Sequence, residues 1–89
     1  MQTNWDDMRL FLAVARENSL SAAGRVLRLD PATVGRRIQR LEAGLQATLF
    51  VKSPQGYALT DAGALLRDRA ELAERAIRAA VADLPAQSD

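Results

Sequence analysis

The dipeptide Asp30-Pro31 is the feature of this sequence that most constrains its fold. Asp is a preferred N-cap, and Pro is favoured at the first helical position because its missing N–H costs no hydrogen bond there. A helix is therefore predicted to begin at Pro31, with the Asp30 carboxylate accepting from the backbone N–H of Ala32 or Thr33. One narrow apolar stripe predicts the face that meets a core, and it consists of Val34, Ile38, Leu41 and Leu45. Gly44 is expected just past the end of this helix.

Two shorter helices are predicted before this one. Asn4 can cap the first, whose apolar residues recur at helical spacing as far as about Glu17. Asn18 tolerates the left-handed conformation that often ends a helix. Ser21 is expected to cap a second helix over residues 22–28.

A short β-ribbon and a long helix are predicted after the third helix. Residues 49–52 and 57–59 are compatible with strands, and the Pro and Gly between them favour a turn. Thr60 is the expected N-cap of the last helix, residues 61–84. At 1.5 Å per residue this helix would be about 36 Å long, more than a three-helix core can cover, so part of it has to project.

Composition limits what the 89-residue chain can do. Its length fits one domain, and 48% apolar residues with five Gly and three Pro are typical of a chain that folds. The absence of Cys and His removes disulfides, zinc sites, thiol nucleophiles and imidazole catalysis. The remaining polar residues lack a Gly-rich phosphate loop, so neither an enzyme nor a cofactor or metal is expected. No apolar run approaches the ~20 residues that cross a bilayer, and no membrane partner is expected.

Basic residues are concentrated in the middle of the chain. The whole chain carries +1, but residues 25–52 hold six basic residues against two acidic ones. The six are Arg25, Arg28, Arg36, Arg37, Arg40 and Lys52. Such a basic stripe attracts phosphate, although charge alone is equally compatible with a solvated helix face.

Two helices joined by a tight turn, the second with a basic outward face and followed by a β-ribbon, are typical of a winged helix-turn-helix. The predicted fold is mainly α, with a three-helix core, a two-stranded β wing and a long C-terminal linker or dimerisation helix. Residues 1–59 form the predicted DNA-binding domain, residues 60–84 the dimerisation helix, and residues 85–89 a flexible tail. An α-helix fits the major groove of double-stranded DNA, and residues in its first turns reach base edges.

Five short motifs occur in the order and spacing of the N-terminal domain of LysR-type transcriptional regulators, which residues 5 to about 80 resemble. They are Leu20-Ser21-Ala22-Ala23 through Leu27, Val34-Gly35-Arg36-Arg37-Ile38, Leu41-Glu42, Leu49-Phe50 and Leu59-Thr60-Asp61-Ala62-Gly63. The resemblance implies a bacterial, cytoplasmic regulator that dimerises through its C-terminal helix and binds an interrupted dyad in DNA. Full-length relatives carry an effector-binding domain that these residues do not include, so a small-molecule effector is expected only if the full-length protein has one.

The recognition helix is expected at about residues 31–43. The base-reading positions that the resemblance implies are Ala32, Thr33, Gly35 and Arg36. Arg36 is the best candidate for a bidentate contact with guanine, and a contact with phosphate alone is the alternative. Phosphate contacts are expected from Ser21, Pro31, Arg37, Arg40, Lys52 and Gln55. The chain departs from the family at Asp30-Pro31-Ala32, where relatives usually have Ser-Gln-Pro, and at Gly35, where they usually have Ser.

The last helix carries apolar residues that are expected to pack against a partner. Those expected at a homodimer interface are Leu65, Leu66, Leu72, Ile77, Val81 and Leu84, with small Ala residues between them. The alternative is that this stripe folds back onto its own domain.

Two other functions remain open from the sequence. The chain could be a protein-interaction module whose arginines are merely solvated, which predicts little salt-dependent DNA affinity. It could also be a DNA-binding domain of another family, such as the similar N-terminal domain of molybdate-responsive regulators.

Overall fold

The structure, a computed structural model, describes residues 4–86 as four helices and one antiparallel pair of strands. Their order is α1 (Trp5–Glu17), α2 (Leu20–Leu27), α3 (Pro31–Leu45), β1 (Phe50–Ser53), β2 (Gly56–Leu59) and α4 (Asp61–Asp83). The predicted fold class is confirmed: a three-helix core, a two-stranded wing and a long last helix. Of the predicted tail, residues 87–89 lie outside the described residues.

Each helix begins at a side-chain oxygen that accepts a backbone N–H from its first turn. Asn4 accepts from Asp7 at 2.9 Å, and Thr60 from Gly63 at 3.0 Å, as predicted. Asp30 accepts from Ala32 at 3.0 Å, so the predicted start of α3 is also confirmed.

The predicted cap of α2 is wrong. Ser19, not Ser21, accepts the N–H of Ala22 at 3.1 Å, and the helix begins at Leu20. Ser19 has the extended backbone of an N-cap and follows directly on Asn18, whose left-handed φ of 57° ends α1. Ser21 is therefore an exposed residue of the first helical turn.

The predicted end of α3 is also wrong. The helix continues through Gly44 to Leu45, and Gln46 takes the left-handed conformation with φ 54°. Leu45 packs partly buried against the core, and this packing holds the two additional helical residues. Gly44 itself lies inside the helix, and a Cβ at this position would meet no atom within 4 Å, so packing does not require a glycine here.

The core forms where one face of α3 meets α1 and the wing. Val34, Ile38 and Leu41 are buried, which confirms the predicted inward stripe. The Phe11 ring of α1 lies 5.4 Å from that of Phe50, and the chain of rings continues to Tyr57 in the wing. Burying an apolar side chain of this size contributes about 1.5–3 kcal/mol, so these contacts dominate the stability of the domain.

The wing is tied to the helical core at both of its strands. Its register pairs Phe50 with Leu59 and Ser53 with Gly56, so each strand differs from its predicted range by one residue. The Tyr57 N–H donates to the Asn18 carbonyl at 3.0 Å. The Glu42 carboxylate of α3 accepts the N–H of Leu49 at 2.7 Å and that of Phe50 at 3.3 Å.

The first half of α4 packs on the domain and its second half projects. Gly63 and Ala70 are buried, whereas every residue from Arg75 to Ala86 is exposed, so the predicted projection is confirmed. The helix ends at Asp83, one residue earlier than predicted, and Leu84 is its C-cap.

Arg16 of α1 forms ion pairs with two carboxylates of α4. Its Nη2 lies 2.8 Å from Glu74 Oε1 and 3.4 Å from Glu71 Oε2. The hydrogen bond from Arg16 holds the pKa of Glu74 below its ordinary value, and Glu74 raises the pKa of Arg16. The contribution of Glu74 to stability is therefore complete above the ordinary carboxyl pKa and is lost as pH falls through the lowered value.

Gly24 sets the close approach of α2 to the turn before α3. A Cβ at Gly24 would lie 2.5 Å from the Leu29 carbonyl oxygen, a backbone atom that cannot rotate away. We expect Gly24→Ala to lower the free energy of unfolding by about 1–3 kcal/mol because the turn has to shift. Chemical denaturation measures this loss.

Gly44→Ala is the matched control. Its added methyl group meets no atom, and Ala is the better helix former by about 0.5–1 kcal/mol, so this variant should be more stable than the original chain. Equal stability of the two variants would contradict the close contact at Gly24.

Candidate nucleic-acid interface

The exposed face of α3 lies opposite the buried stripe. Ala32, Arg36 and Arg40 are exposed, as is Pro31 at the first helical position, whereas Thr33 is only partly exposed. We call the exposed residues Pro31, Ala32, Arg36, Gln39 and Arg40 the outer face of α3. This face carries two guanidinium groups and no carboxylate side chain. The Asp30 carboxylate beside it accepts the N–H of Ala32 at the helix N-terminus.

Arg36 is held by a neighbour one turn before it. Its Nη2 donates to the Thr33 hydroxyl at 3.1 Å, a contact between residues three apart on the helix. Among residues 4–86, no ion pair involves Arg36 or Arg40. A guanidinium has five N–H donors, so Arg36 keeps donors for an outside acceptor while Thr33 restricts its direction.

Arg37 differs from its two basic neighbours. Its Nη2 lies 3.4 Å from Asp7 Oδ1 of α1, and both side chains are partly buried. The sequence predicted Arg37 as a phosphate contact, and that role stays a prediction. The structure places its guanidinium at the packing between α3 and α1.

Gly35 lies toward α2 rather than on the outer face. A Cβ at Gly35 would be 3.1 Å from the Leu20 methyl group, so the position is close to its neighbouring helix. The departure from the usual Ser therefore coincides with tight packing of the two helices. The predicted base contact of Gly35 stays a prediction.

The other predicted phosphate contacts lie at exposed positions. Ser21 is exposed in the first turn of α2, and the N-cap of this helix is Ser19 instead. Lys52 is exposed on β1, and Gln55 is exposed in the turn of the wing.

Two acidic residues support this surface without being among the predicted site residues. Asp7 pairs with Arg37, and Glu42 accepts two N–H groups at the start of the wing. Glu42 was recognisable as one of only two acids in the basic segment, but its partners are backbone groups that no spacing of side chains reveals.

The predicted dimerisation residues fall into two groups. Five of them are 54–67% exposed, and they are Leu65, Leu72, Ile77, Val81 and Leu84. Leu66 is instead partly buried against the core of its own domain. Trp5, which is 40% exposed, borders an open apolar depression with Ala73, Ala76 and Ile77 of α4. Trp5 of α1 therefore adds apolar surface beside the exposed apolar residues of α4.

No helix within residues 4–86 is both long and apolar enough to span a membrane.

The chain matches known regulatory proteins along most of its length. Residues 5–64 match the profile of the family described as bacterial regulatory helix-turn-helix protein, lysR family. The chain is 44% identical over 63 residues to the HTH-type transcriptional regulator YofA of Bacillus velezensis. This match covers 70% of this chain and 22% of that protein. Across the first curated relatives, the chain spans about a fifth to a quarter of their length.

Solved structures show the same fold. The crystal structure of the CbnR DNA-binding domain in complex with DNA has a TM-score of 0.75 and 31% identity, and the match covers 90% of this chain and 97% of that one. The BenM DNA-binding domain with catB site 1 DNA has a TM-score of 0.84 over 90% of both chains. Its 24% identity makes this second likeness one of fold.

These matches decide between the functions that the sequence left open. The family profile describes a regulatory protein, which confirms the expectation that the chain is not an enzyme. With the profile covering residues 5–64 and the winged helix-turn-helix shared with CbnR, this chain belongs to the LysR family, as its helix-turn-helix DNA-binding domain.

Proposed function

We propose that the chain reads double-stranded DNA with the outer face of α3 in the major groove. The observation that carries this proposal is the burial of Val34, Ile38 and Leu41, which turns Arg36 and Arg40 outward without an ion-pair partner within residues 4–86. The CbnR domain, 31% identical, was solved with DNA, which supports DNA as the ligand of this chain. The major groove admits an α-helix, and guanidinium groups are the commonest readers of guanine.

Arg36 and Arg40 have different tasks in this proposal. Arg36 lies one turn from the helix N-terminus and is directed by Thr33, which suits a bidentate contact with a guanine edge. Arg40 lies one turn further along and, with no such side-chain partner among residues 4–86, suits a phosphate contact that is independent of sequence. Ala32, with Thr33, provides apolar contact to a thymine methyl group.

Phosphate contacts flank the base-reading helix. Ser21, Pro31, Lys52 and Gln55 are exposed around it and position the domain on the backbone. Arg37 contributes through the donors that its contact with Asp7 leaves free. Lys52 is the one cation of the wing strands, so the grip of the wing on phosphate is weak.

The functional unit is a homodimer in this proposal, with residues 1–59 as the DNA-binding part and residues 60–84 as the dimerisation helix. Four large apolar residues on α4, and Leu84 at its C-cap, are more than half exposed, and burying them against a second copy removes their apolar surface from water. The two recognition helices then enter successive major-groove turns of an interrupted dyad, about 34 Å apart. The site of action is the bacterial cytoplasm, and a small-molecule effector acts only if the full-length protein carries a domain for it.

The first prediction separates base reading from phosphate binding. In a selection from a random duplex pool, Arg36→Ala should flatten the preference at one base pair of each half-site, a loss of about 1–3 kcal/mol of discrimination. Arg40→Ala should weaken binding to all sequences about equally. Arg75→Ala is the control, since Arg75 is exposed on α4 away from the outer face of α3. Identical profiles for the Arg36 and Arg40 variants would contradict this division.

The second prediction concerns the number of phosphate contacts. If three basic residues of each protomer meet phosphate, a dimer neutralises about six phosphates, and log K falls with log salt at a slope of roughly −5. Fluorescence anisotropy of a labelled duplex across a salt series measures the slope. A slope near zero, or no binding at low salt, would contradict these phosphate contacts.

The third prediction concerns the dimer. Leu72→Glu places a charge in the exposed stripe of α4 and should convert the dimer to a monomer, as measured by sedimentation at micromolar concentration. Val26→Glu is the control, since Val26 is 63% exposed on α2 and lies outside the stripe. A monomeric original chain at that concentration would refute the proposed dimer.

A further inference from the structure

Four charged side chains meet near the point where α4 leaves the winged domain. Arg16, near the end of α1, lies 2.8 Å from Glu74 and 3.4 Å from Glu71. Arg78, one turn further along α4, lies 3.5 Å from the other oxygen of Glu74. We call Arg16, Glu71, Glu74 and Arg78 the Arg16 cluster.

The position of the Arg16 cluster along α4 is distinctive. Ala70 is the last buried residue of the helix, and Glu74 is the last that is not exposed. The outward part of α4 thus begins at the cluster. Trp5 also borders α4 at this level, but its contact is apolar and open. Apolar contact is non-directional, whereas charge-assisted hydrogen bonds depend on distance and angle.

We propose that the Arg16 cluster fixes the angle at which α4 leaves the winged domain, and thereby sets the spacing of DNA half-sites that a dimer accepts. This inference rests on the proposed function. Arg16 is a positioning residue: it makes no contact with DNA itself, and it acts through the direction of the helix that carries the partner domain.

Geometry makes the spacing sensitive to this angle. From Glu74 to the end of α4 at Asp83, the helix extends about 14 Å, so a tilt of about 15° displaces its end by about 3.6 Å. One base pair advances DNA by about 3.4 Å and turns it by about one tenth of a helical turn. A tilt of this size therefore moves the end of α4 by about the rise of one base pair. In a dimer both protomers would tilt, so the spacing of the half-sites would change with the angle.

Two types of variant remove the Arg16 cluster with opposite changes of charge. Arg16→Gln removes one positive charge, whereas Glu71→Gln with Glu74→Gln removes two negative charges. A phenotype shared by both cannot come from altered attraction to DNA. Arg69→Gln is the charge control for the first, since Arg69 is exposed on α4 and forms no ion pair within residues 4–86. Glu17→Gln with Asp68→Asn is the charge control for the second, since within residues 4–86 Glu17 forms no ion pair and Asp68 pairs only with its neighbour Arg67.

The first experiment measures the helix direction without DNA. The chain has no Cys, so Gly44→Cys and Ala82→Cys introduce two spin labels at exposed sites, one on α3 and one near the end of α4. Pulsed electron paramagnetic resonance measures the distribution of distances between the two labels. Diluting labelled protein with an excess of unlabelled protein limits the measurement to distances within one protomer. We expect one narrow distribution in the original chain and in both controls, and a broader one in both cluster variants.

The second experiment measures half-site spacing. Half-sites from the random-pool selection are joined by spacers that differ by single base pairs, and affinity is measured for each duplex. We expect the ratio of affinities between the best spacer and one a base pair longer to fall about two- to fivefold in both cluster variants, the range for loss of a surface ion-pair network. The affinity for a single half-site should change only in the direction of the added or removed charge.

Each result has one meaning. Broader distances together with a flatter spacing profile support the inference. Unchanged distances overturn the role of the Arg16 cluster in fixing α4, and broader distances with an unchanged spacing profile overturn its role in half-site spacing. If the original chain selects no DNA sequence, the proposed function fails and the spacing role fails with it, while the distance measurement still decides whether the cluster fixes the helix.

Discussion

The burial of one face of α3 is the constraint on which the rest of the structure depends. Val34, Ile38 and Leu41 pack into the same core as Phe11 of α1 and Phe50 of the wing. Because a helix has a fixed rotation per residue, burying this stripe fixes the side of α3 from which Arg36 and Arg40 extend. The core therefore positions the outer face of α3, even though none of the core residues belongs to it.

Three acidic residues in or near the basic segment are paired with groups of their own chain. Asp30 caps α3, Asp7 pairs with Arg37, and Glu42 accepts two N–H groups at the start of the wing. Each contact keeps a carboxylate directed at a partner in its own chain. A chain with a formal charge of only +1 can thus present an outer face on α3 that carries cations alone, which is why overall charge was a poor guide to its surface.

The two halves of α4 are stabilised in different ways. Its first half is anchored by Thr60, which caps the helix and donates to the Thr48 carbonyl, and by the burial of Gly63 and Ala70. Its second half has exposed apolar residues, with ion pairs and the open apolar depression beside Trp5 near its start. In an isolated chain a helix of this kind loses apolar burial over half of its length, which is a cost that a partner surface offsets.

The sequence alone determined the element types, the start of α3, three of the four N-caps and the inward face of the recognition helix. These features are local: Asp30-Pro31 and the period of Val34, Ile38 and Leu41 act within a few residues. Tertiary packing decided the rest. Leu45 extends α3 past Gly44 because its side chain reaches the core, Gly35 turns toward Leu20, Leu66 joins its own domain, and Arg37 and Arg16 find carboxylates on other helices. Such contacts join residues far apart in the chain, and no local spacing encodes which partner a long, flexible side chain will meet.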